Sequence, residues 1–465
     1  MDVPPDLPEA NPEVSRILRD ILSSITPTEK EKEKEQNIIR EIITILNAVI
    51  QKTNPKVIPV MVGSIAKGTD LRGDKDFDIF IQFPRDTSRD LLEEQGLLIG
   101  RNFFELVRSE PEISYAEHPY VKGKYHGFSV EIVPCYKLDG VRGKILSAVD
   151  RTPLHTKFVV GELEKNPALR GEIRLMKRFM KANGLYGAHA AVEGFSGYLC
   201  ELLVIHYGSF LKVLRAASGW KKHEHLSIGR SSGRKRFANA PLVFVDPVDE
   251  NRNVAAAVSV EKLARFVYLS RAFLAYPSHE FFKEKKTEIM SRREFYNNIK
   301  HRGTELVCIR FHPQKLVEDT LIPQLAKSLR ALAAECERAG FRILKKGHWT
   351  DGKEAAFLFE FEVWELPRVT KKIGPFFDSK VADIQGFIES NRSRAVSQPY
   401  LEDGQWCIDV EREHRHADDF IRTYLRNPQG FGKNLRDIKT FEVMVNAQIA
   451  KIKDPDFWRF MSRFW

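Results

Sequence analysis

Three acidic residues, Asp74, Asp76 and Asp78, alternate in the run Asp74-Lys75-Asp76-Phe77-Asp78-Ile79-Phe80-Ile81-Gln82-Phe83. From Asp76 onward the run is rich in β-branched and aromatic residues, which predicts a strand over 76–83. Side chains alternate along a strand, so Asp76 and Asp78 share one face, their Cα atoms roughly 6.5 Å apart, while Phe77 and Ile79 take the other. Carboxylates at that separation repel by about 3 kcal/mol at an effective dielectric of about 20. A pair of divalent metal ions about 3.5–4 Å apart would supply the missing positive charge. A lone Asp-x-Asp is more often a solvated strand face, but here Gly63-Ser64 stands upstream. It ends an apolar run, 57–62, whose Pro59 suits an edge strand or a strand start. A strand breaking there into a short helical turn presents backbone N–H groups and the Ser64 hydroxyl to a phosphate. A Walker loop is excluded, because Thr69 follows Gly68 where that motif requires Lys.

The elements that would carry these residues follow from periodicity. Thr26-Pro27-Thr28-Glu29 reads as a helix start, with a cap, a proline at the first helical position and an acid behind it. The isoleucines beyond it predict one helix over about 27–53. A second helix is expected over 90–110 and a β-meander over 112–136. In its last strand Ser129, Glu131 and Val133 share a face, making Glu131 the candidate third carboxylate. Leu169, Ile173, Met176, Phe179 and Met180 recur at helical spacing, with Gly184 as a stop, so Lys177 lies beside an apolar face, as a snorkelling lysine or a phosphate ligand. The bland readings of His118 and His155 are loop histidines, of Tyr186 a core residue, and of Arg252 an ion-pair partner of Asp246, Asp249 or Glu250. Lys221, Lys222 and the stretch 230–236 bracket a basic Gly/Ser-rich loop. The pairs His223/His225 and His414/His416 lack zinc-like partners and read as surface residues.

Beyond residue 285 a strand over 304–311, a helix over 316–339 and strands over 341–346 and 355–363 give a β-α-β-β order, as in an RNA-recognition-like helix-on-sheet sandwich. Phe357, Phe359 and Phe361 share a strand face and belong to the core rather than to a base-stacking platform. A strand over 405–410 and a helix over 435–452 complete the chain. With 465 residues, 43% of them hydrophobic and 11% aromatic, the chain has room for about three folded domains. No apolar run approaches the roughly 18 residues of a membrane span. The five cysteines are an odd number without a Cys-x-x-Cys pair, which suits reduced residues in the cytoplasm. A net charge of +10 favours a polyanionic partner.

Gly-Ser followed about a dozen residues later by Asp-x-Asp on a strand resembles the nucleotidyltransferases of the DNA polymerase beta superfamily. Further motifs narrow this. Ala116-Glu117-His118-Pro119-Tyr120-Val121, Val130-Glu131-Ile132-Val133-Pro134-Cys135-Tyr136-Lys137-Leu138 and Ala148-Val149-Asp150-Arg151-Thr152-Pro153-Leu154-His155 are similar to the archaeal-type (class I) CCA-adding enzymes. So are Leu175-Met176-Lys177, Lys181 to Gly187, Gly194 to Glu201 and Asp246 to Ala255. The resemblance implies addition of C, C and A to the tRNA 3′ end from CTP and ATP without a nucleic-acid template. It implies that Asp76 and Asp78 hold two Mg²⁺ ions and that Glu131 completes the site. Ser64, Lys67, His155, Lys177 and Tyr186 would hold the triphosphate, Thr152 and His118 would lie near the nucleotide, and Arg252 would meet the base edge. Two positions depart from the family pattern: Glu131 stands where Asp is common, and Lys67 where some members carry Arg.

The expected fold is therefore a multidomain α+β chain. It comprises a polymerase-beta-like nucleotidyltransferase head (1–155), a helical neck with base recognition (156–284), an α+β, RRM-like body that binds tRNA (285–385) and a tail for the tRNA elbow (386–465). The expected partners are the tRNA acceptor stem and elbow, ATP and CTP, with no membrane; the sequence leaves a homodimer open. A poly(A) polymerase or oligoadenylate synthetase would share the head, and a non-catalytic RNA-binding scaffold would lack the metal carboxylates, which are present.

Overall fold

The computed structural model describes residues 12–115, 117–138, 145–229, 237–285 and 288–465. The chain forms two compact units, Met1–Lys285 and Lys286–Trp465. The basic stretch 230–236 lies outside the described residues.

The first unit opens with α1 (Pro12–Ile25) and α2 (Glu29–Thr53). The helix start lies two residues later than expected: Thr28, not Thr26, is the cap, and its hydroxyl and backbone N–H form a reciprocal box with Glu31. There follow β1 (Ile58–Val62), α3 (Gly63–Lys67), β2 (Asp76–Phe83), α4 (Arg89–Leu106), β3 (Glu112–Tyr115), β4 (Pro119–Tyr125) and β5 (Phe128–Tyr136). The sheet order is β1-β2-β5-β4-β3, with β2 and β5 parallel and the other pairs antiparallel. Pro59 thus falls on an edge strand, the position in a sheet that tolerates proline. One sheet face, with Phe77, Ile79, Ile81, Val130 and Ile132, packs against α2 and α4 to form a closed core.

Among the described residues the opposite face carries only a small apolar cluster, Val62, Phe80, Val133 and Cys135, with Val149 packed on it. Over it the chain turns at Asp150, whose carboxylate accepts from the backbone N–H groups of Tyr136, Leu146 and Ser147, and enters α5 (Arg151–Lys165). Then come α6 (Leu169–Ala182), α7 (Gly197–Tyr207), α8 (Phe210–Ser218), β6 (Glu224–Ser227), β7 (Leu242–Asp246), β8 (Asp249–Asn253) and α9 (Val260–Ala275). These helices share a second core, and α1 joins it through Ile17, Ile21 and Ile25 although α1 precedes the sheet in the chain. No single helix among the described residues is long and apolar enough to cross a membrane.

The second unit runs α10 (Arg292–Arg302), β9 (Glu305–Phe311), α11 (Glu318–Ala339), β10 (Ile343–Thr350), β11 (Ala355–Phe361), β12 (Val369–Phe376), α12 (Val381–Asn391), β13 (Tyr400–Glu402), β14 (Gln405–Glu411), α13 (Ala417–Tyr424), β15 (Glu442–Val445) and α14 (Pro455–Phe464). Its main sheet, β10-β11-β9-β15, has α11 on one face and α10 with α14 on the other. Phe357, Phe359 and Phe361 are fully buried in the α11-side core, so no base can stack on them. No continuous α-helix forms over the expected 435–452, although Asn446–Lys451 is a 3-10 helix. The centre of that stretch is β15, which pairs with the open edge of β9 from Glu442↔Arg310 to Val445↔Val307. The free backbone edge of β9 and burial of both Val443 and Met444 outweigh local helix propensity there.

Candidate active site

The parallel register pairs Asp78 with Glu131 and Asp76 with Ser129, so the three acids emerge from the sparsely covered sheet face on neighbouring strands. None forms an ion pair with another described residue. Burial, followed by the Glu131 and Asp76 charges, pushes Asp78 up to about 7, against the opposing effect of Lys67. Burial also raises Glu131, with Lys122 opposing and Asp76 adding to the shift. Asp74, the first acid of the alternating run, is used differently. It accepts from Lys181 Nζ at 2.8 Å and from the Leu71 backbone N–H at 3.1 Å, closing the loop before β2.

Gly63 sets the position of Asp78. Its φ is +78°, and a Cβ there would lie 2.0 Å from Asp78 Oδ2, so the carboxylate rests directly on the Gly63 backbone at the start of α3. Among the described residues no three acid, histidine or cysteine side chains stand already drawn together at metal-ligand distance. The donor set nevertheless fits a hard divalent cation. It consists of oxygen ligands on adjacent strands, and the acid of Asp78 is raised by burial and by its acidic neighbours, which a cation would offset.

Beside the acids lies a buried cationic cluster. Lys67, the last residue of α3, is 8% exposed, and its Nζ donates to Glu201 Oε2 at 2.6 Å. Lys177 on α6 is 2% exposed and donates to Glu201 Oε1 (2.8 Å), Thr69 Oγ1 (2.9 Å) and the Thr69 carbonyl (3.2 Å). Burial pulls the Lys177 ammonium down, and the Glu201 charge is the largest opposing influence. Burial raises Glu201, but Lys177 and Lys67 together outweigh it and hold the carboxyl at about 2. The Tyr186 hydroxyl lies near this cluster, because a Cβ at Gly197 would be 2.6 Å from it and 3.9 Å from Lys177 Cε. Ser64, the second residue of α3, and Thr152, in the first turn of α5, are both partly exposed.

A second buried carboxylate organises the other side. Asp246, at the end of β7 and fully buried, accepts from His155 Nε2 (2.8 Å) and Arg252 Nη1 (2.9 Å) on Oδ2, and from the Val248 backbone N–H (3.0 Å) on Oδ1. The Tyr198 hydroxyl adds a bond of 3.3 Å to Oδ1, and the Tyr198 ring stacks on His155 at 4.0 Å. Burial holds His155 below the ordinary histidine range, although Asp246 opposes the shift. Arg252 is therefore the ion-pair partner that its acidic surroundings suggested. Its side chain is still 36% exposed and lines a cleft of about 800 Å³ with Arg151, Ser196, Asn239 and Pro241, so its other N–H groups remain available.

His118 follows Glu117, whose carboxylate accepts from the Ala148 backbone N–H before α5. It is 2% exposed beside α4, with Nδ1 3.0 Å from Glu93 Oε1 and its buried Nε2 without a partner among the described residues. Reasoning from sequence missed Glu201, Thr69 and Tyr198, and named Asp246 as one of three acids that could pair with Arg252. For Glu201 there was a signal, since it is the one acid in the apolar helix Leu199-Cys200-Glu201-Leu202-Leu203-Val204.

Comparison with known proteins covers almost the whole chain. Residues 28–155 match the family described as nucleotidyltransferase domain, 171–283 the second domain of tRNA nucleotidyltransferase, and 302–446 the C-terminal domain of CCA-adding enzyme. A CCA-adding enzyme of Archaeoglobus fulgidus is 37% identical over 84% of this chain and 87% of its own length. One from Methanosarcina acetivorans is 35% identical over 96% and 97%, respectively. Among solved structures, the Cid1 poly(U) polymerase with bound Mg 3′-dATP covers 59% of this chain and all of its own, at 14% identity and a TM-score of 0.48.

Proposed function

This chain belongs to the CCA-adding enzyme family, and we propose that it adds C, C and A to the tRNA 3′ end from CTP and ATP with Asp76, Asp78 and Glu131 at the reacting centre. The observation that carries this assignment is the Asp78↔Glu131 register beside Asp76, on the sheet face that carries a small apolar cluster among the described residues. These acids would hold two Mg²⁺ ions, which when bound would lower the pKa of the primer hydroxyl and neutralise the triphosphate and departing pyrophosphate.

The chain's own residues do the rest. Among the described residues Lys67 has one proton on Glu201 and two free to donate to the triphosphate, with Ser64 and Tyr186 as hydroxyl donors and Lys177 supplying charge. His155 can donate to a phosphate through Nδ1 only when doubly protonated, because Nε2 is the nitrogen that faces Asp246. Arg252 presents its remaining N–H groups to the acceptor ring nitrogen that C and A share on their pairing edges, whereas U and G carry a proton there. Thr152 and His118 would border the nucleotide, His118 with its ring fixed by Glu93.

In this reading residues 1–155 act as catalytic head and 156–284 as base-reading neck, while 285–385 and 386–465 hold the acceptor stem and elbow of tRNA by shape and backbone. All five cysteines are free and buried, which suits work in the reducing cytoplasm. The test is incubation of the protein and Mg²⁺ with tRNA lacking CCA and each nucleotide in turn. Incorporation of C, C and then A is expected. A homopolymeric A tail would favour a poly(A) polymerase instead.

A further inference from the structure

Glu201 is fully buried on α7, and a buried carboxylate needs partners. Three donors from two other segments saturate it: Lys67 at 2.6 Å, Lys177 at 2.8 Å and Thr69 Oγ1 at 2.8 Å. Thr69 closes the figure, since its hydroxyl accepts from Lys177 while donating to Glu201. Two ammoniums and one carboxylate thus lie where α3 and the loop after it meet α6 and α7. Such a buried charge cluster adds little stability over well-packed apolar residues. What it does provide is two cationic groups fixed in place, with a net charge of +1.

The two lysines are not equivalent. Lys177 has all three protons engaged within the protein, whereas among the described residues Lys67 has one engaged and two to spare. We infer that Glu201 is a positioning residue for nucleotide binding: it aims the Lys67 ammonium so that its two remaining N–H groups meet the triphosphate, and it is the countercharge in contact with both buried ammoniums. This rests on the reading of Lys67 as a triphosphate ligand. α3 alone could not hold that aim, because a lysine stem has four rotatable bonds and would leave a buried ammonium unpaired.

The groups facing the cluster support a countercharge role. From α7 comes Cys200, pushed up to about 12 by burial, and from the segment before α7 comes Tyr186, also raised by burial; both are neutral at working pH. From β2 comes Asp78 and from α5 His155, both of which feel the Lys67 charge. Glu201 is therefore the countercharge within contact distance of both ammoniums.

The test is steady-state CTP addition to tRNA lacking CCA, with pH profiles and thermal melting of the free protein. Glu201→Gln is expected to raise KM for CTP about tenfold or more, with a smaller change in kcat. The alkaline limb of kcat/KM should move to lower pH, because Lys177 loses the charge that opposes its desolvation. Glu201→Asp, one methylene short and unable to reach both lysines at their present distances, should fall between Gln and wild type. Should Glu201→Gln fail to fold, Glu201→Asp decides: a raised KM with a shifted limb supports the inference, and wild-type values overturn it. Lys67→Ala separates the two readings. Unchanged KM in Lys67→Ala would remove the triphosphate reading itself, whereas raised KM there with wild-type KM and pH profile in both Glu201 variants would remove only the role of Glu201.

Discussion

Replacing Gly63 by Ala should cripple catalysis through a single methyl group. The new Cβ would lie 2.0 Å from Asp78 Oδ2 and 3.0 Å from its Cγ, so reaching an ordinary contact of about 3.4 Å displaces the carboxylate by about 1.4 Å. A shift of about 1 Å at a reacting centre can cost about 10²-fold in rate, so single-turnover addition of C should slow by at least that factor. The positive φ of +78° adds backbone strain on the order of 1–2 kcal/mol for a non-glycine residue, visible as a lower melting temperature. tRNA affinity, measured by filter binding, should stay within about twofold, since Asp78 is not expected to touch tRNA phosphates. A folded Gly63→Ala protein with wild-type single-turnover rates would show that Asp78 does not need its present position, and the assignment of the acids would fall with it.

The other predictions address charge. Asp78→Asn should abolish addition, yet raise the melting temperature of the metal-free protein above pH 7. The raised Asp78 pKa of about 7 means that the native state prefers the protonated acid, so its stability contribution is intact below about pH 4 and lost as pH rises towards 7. No stabilisation at pH 8 would contradict the proposed repulsion. Because burial holds His155 below the ordinary histidine range and it must gain a proton to donate through both nitrogens, KM for CTP should begin to rise with pH on the acid side of neutrality, and His155→Ala should flatten that limb. Arg252→Ala should cost on the order of 1–3 kcal/mol in selection of CTP and ATP over UTP, read as kcat/KM ratios. Equal losses for all three nucleotides would leave Arg252 as a partner of Asp246 alone. Finally, tRNA binding should weaken steeply with salt and should exceed that of single-stranded RNA of equal length; parity at moderate salt would refute shape recognition.

How much was legible beforehand depended on how local the controlling physics is. Asp76 and Asp78 were readable because strand alternation needs only neighbouring residues, and Glu131 because its own strand could be phased. The Asp78↔Glu131 pairing needed the β2–β5 register, which no local pattern specifies. Periodicity located the helix that carries Lys177 but not the carboxylate that holds it, since Glu201 lies 24 residues away along the chain and 134 from Lys67. The expected helix over 435–452 failed for the same reason: the vacant edge of β9, more than a hundred residues earlier, decided its conformation. The sequence by itself determined the helices and strands with strong periodicity, the acids on β2 and the family. Tertiary structure alone decided which buried charges face one another, because a charge taken out of water is stable only where the fold brings it a partner, and that partner is chosen in space rather than along the chain.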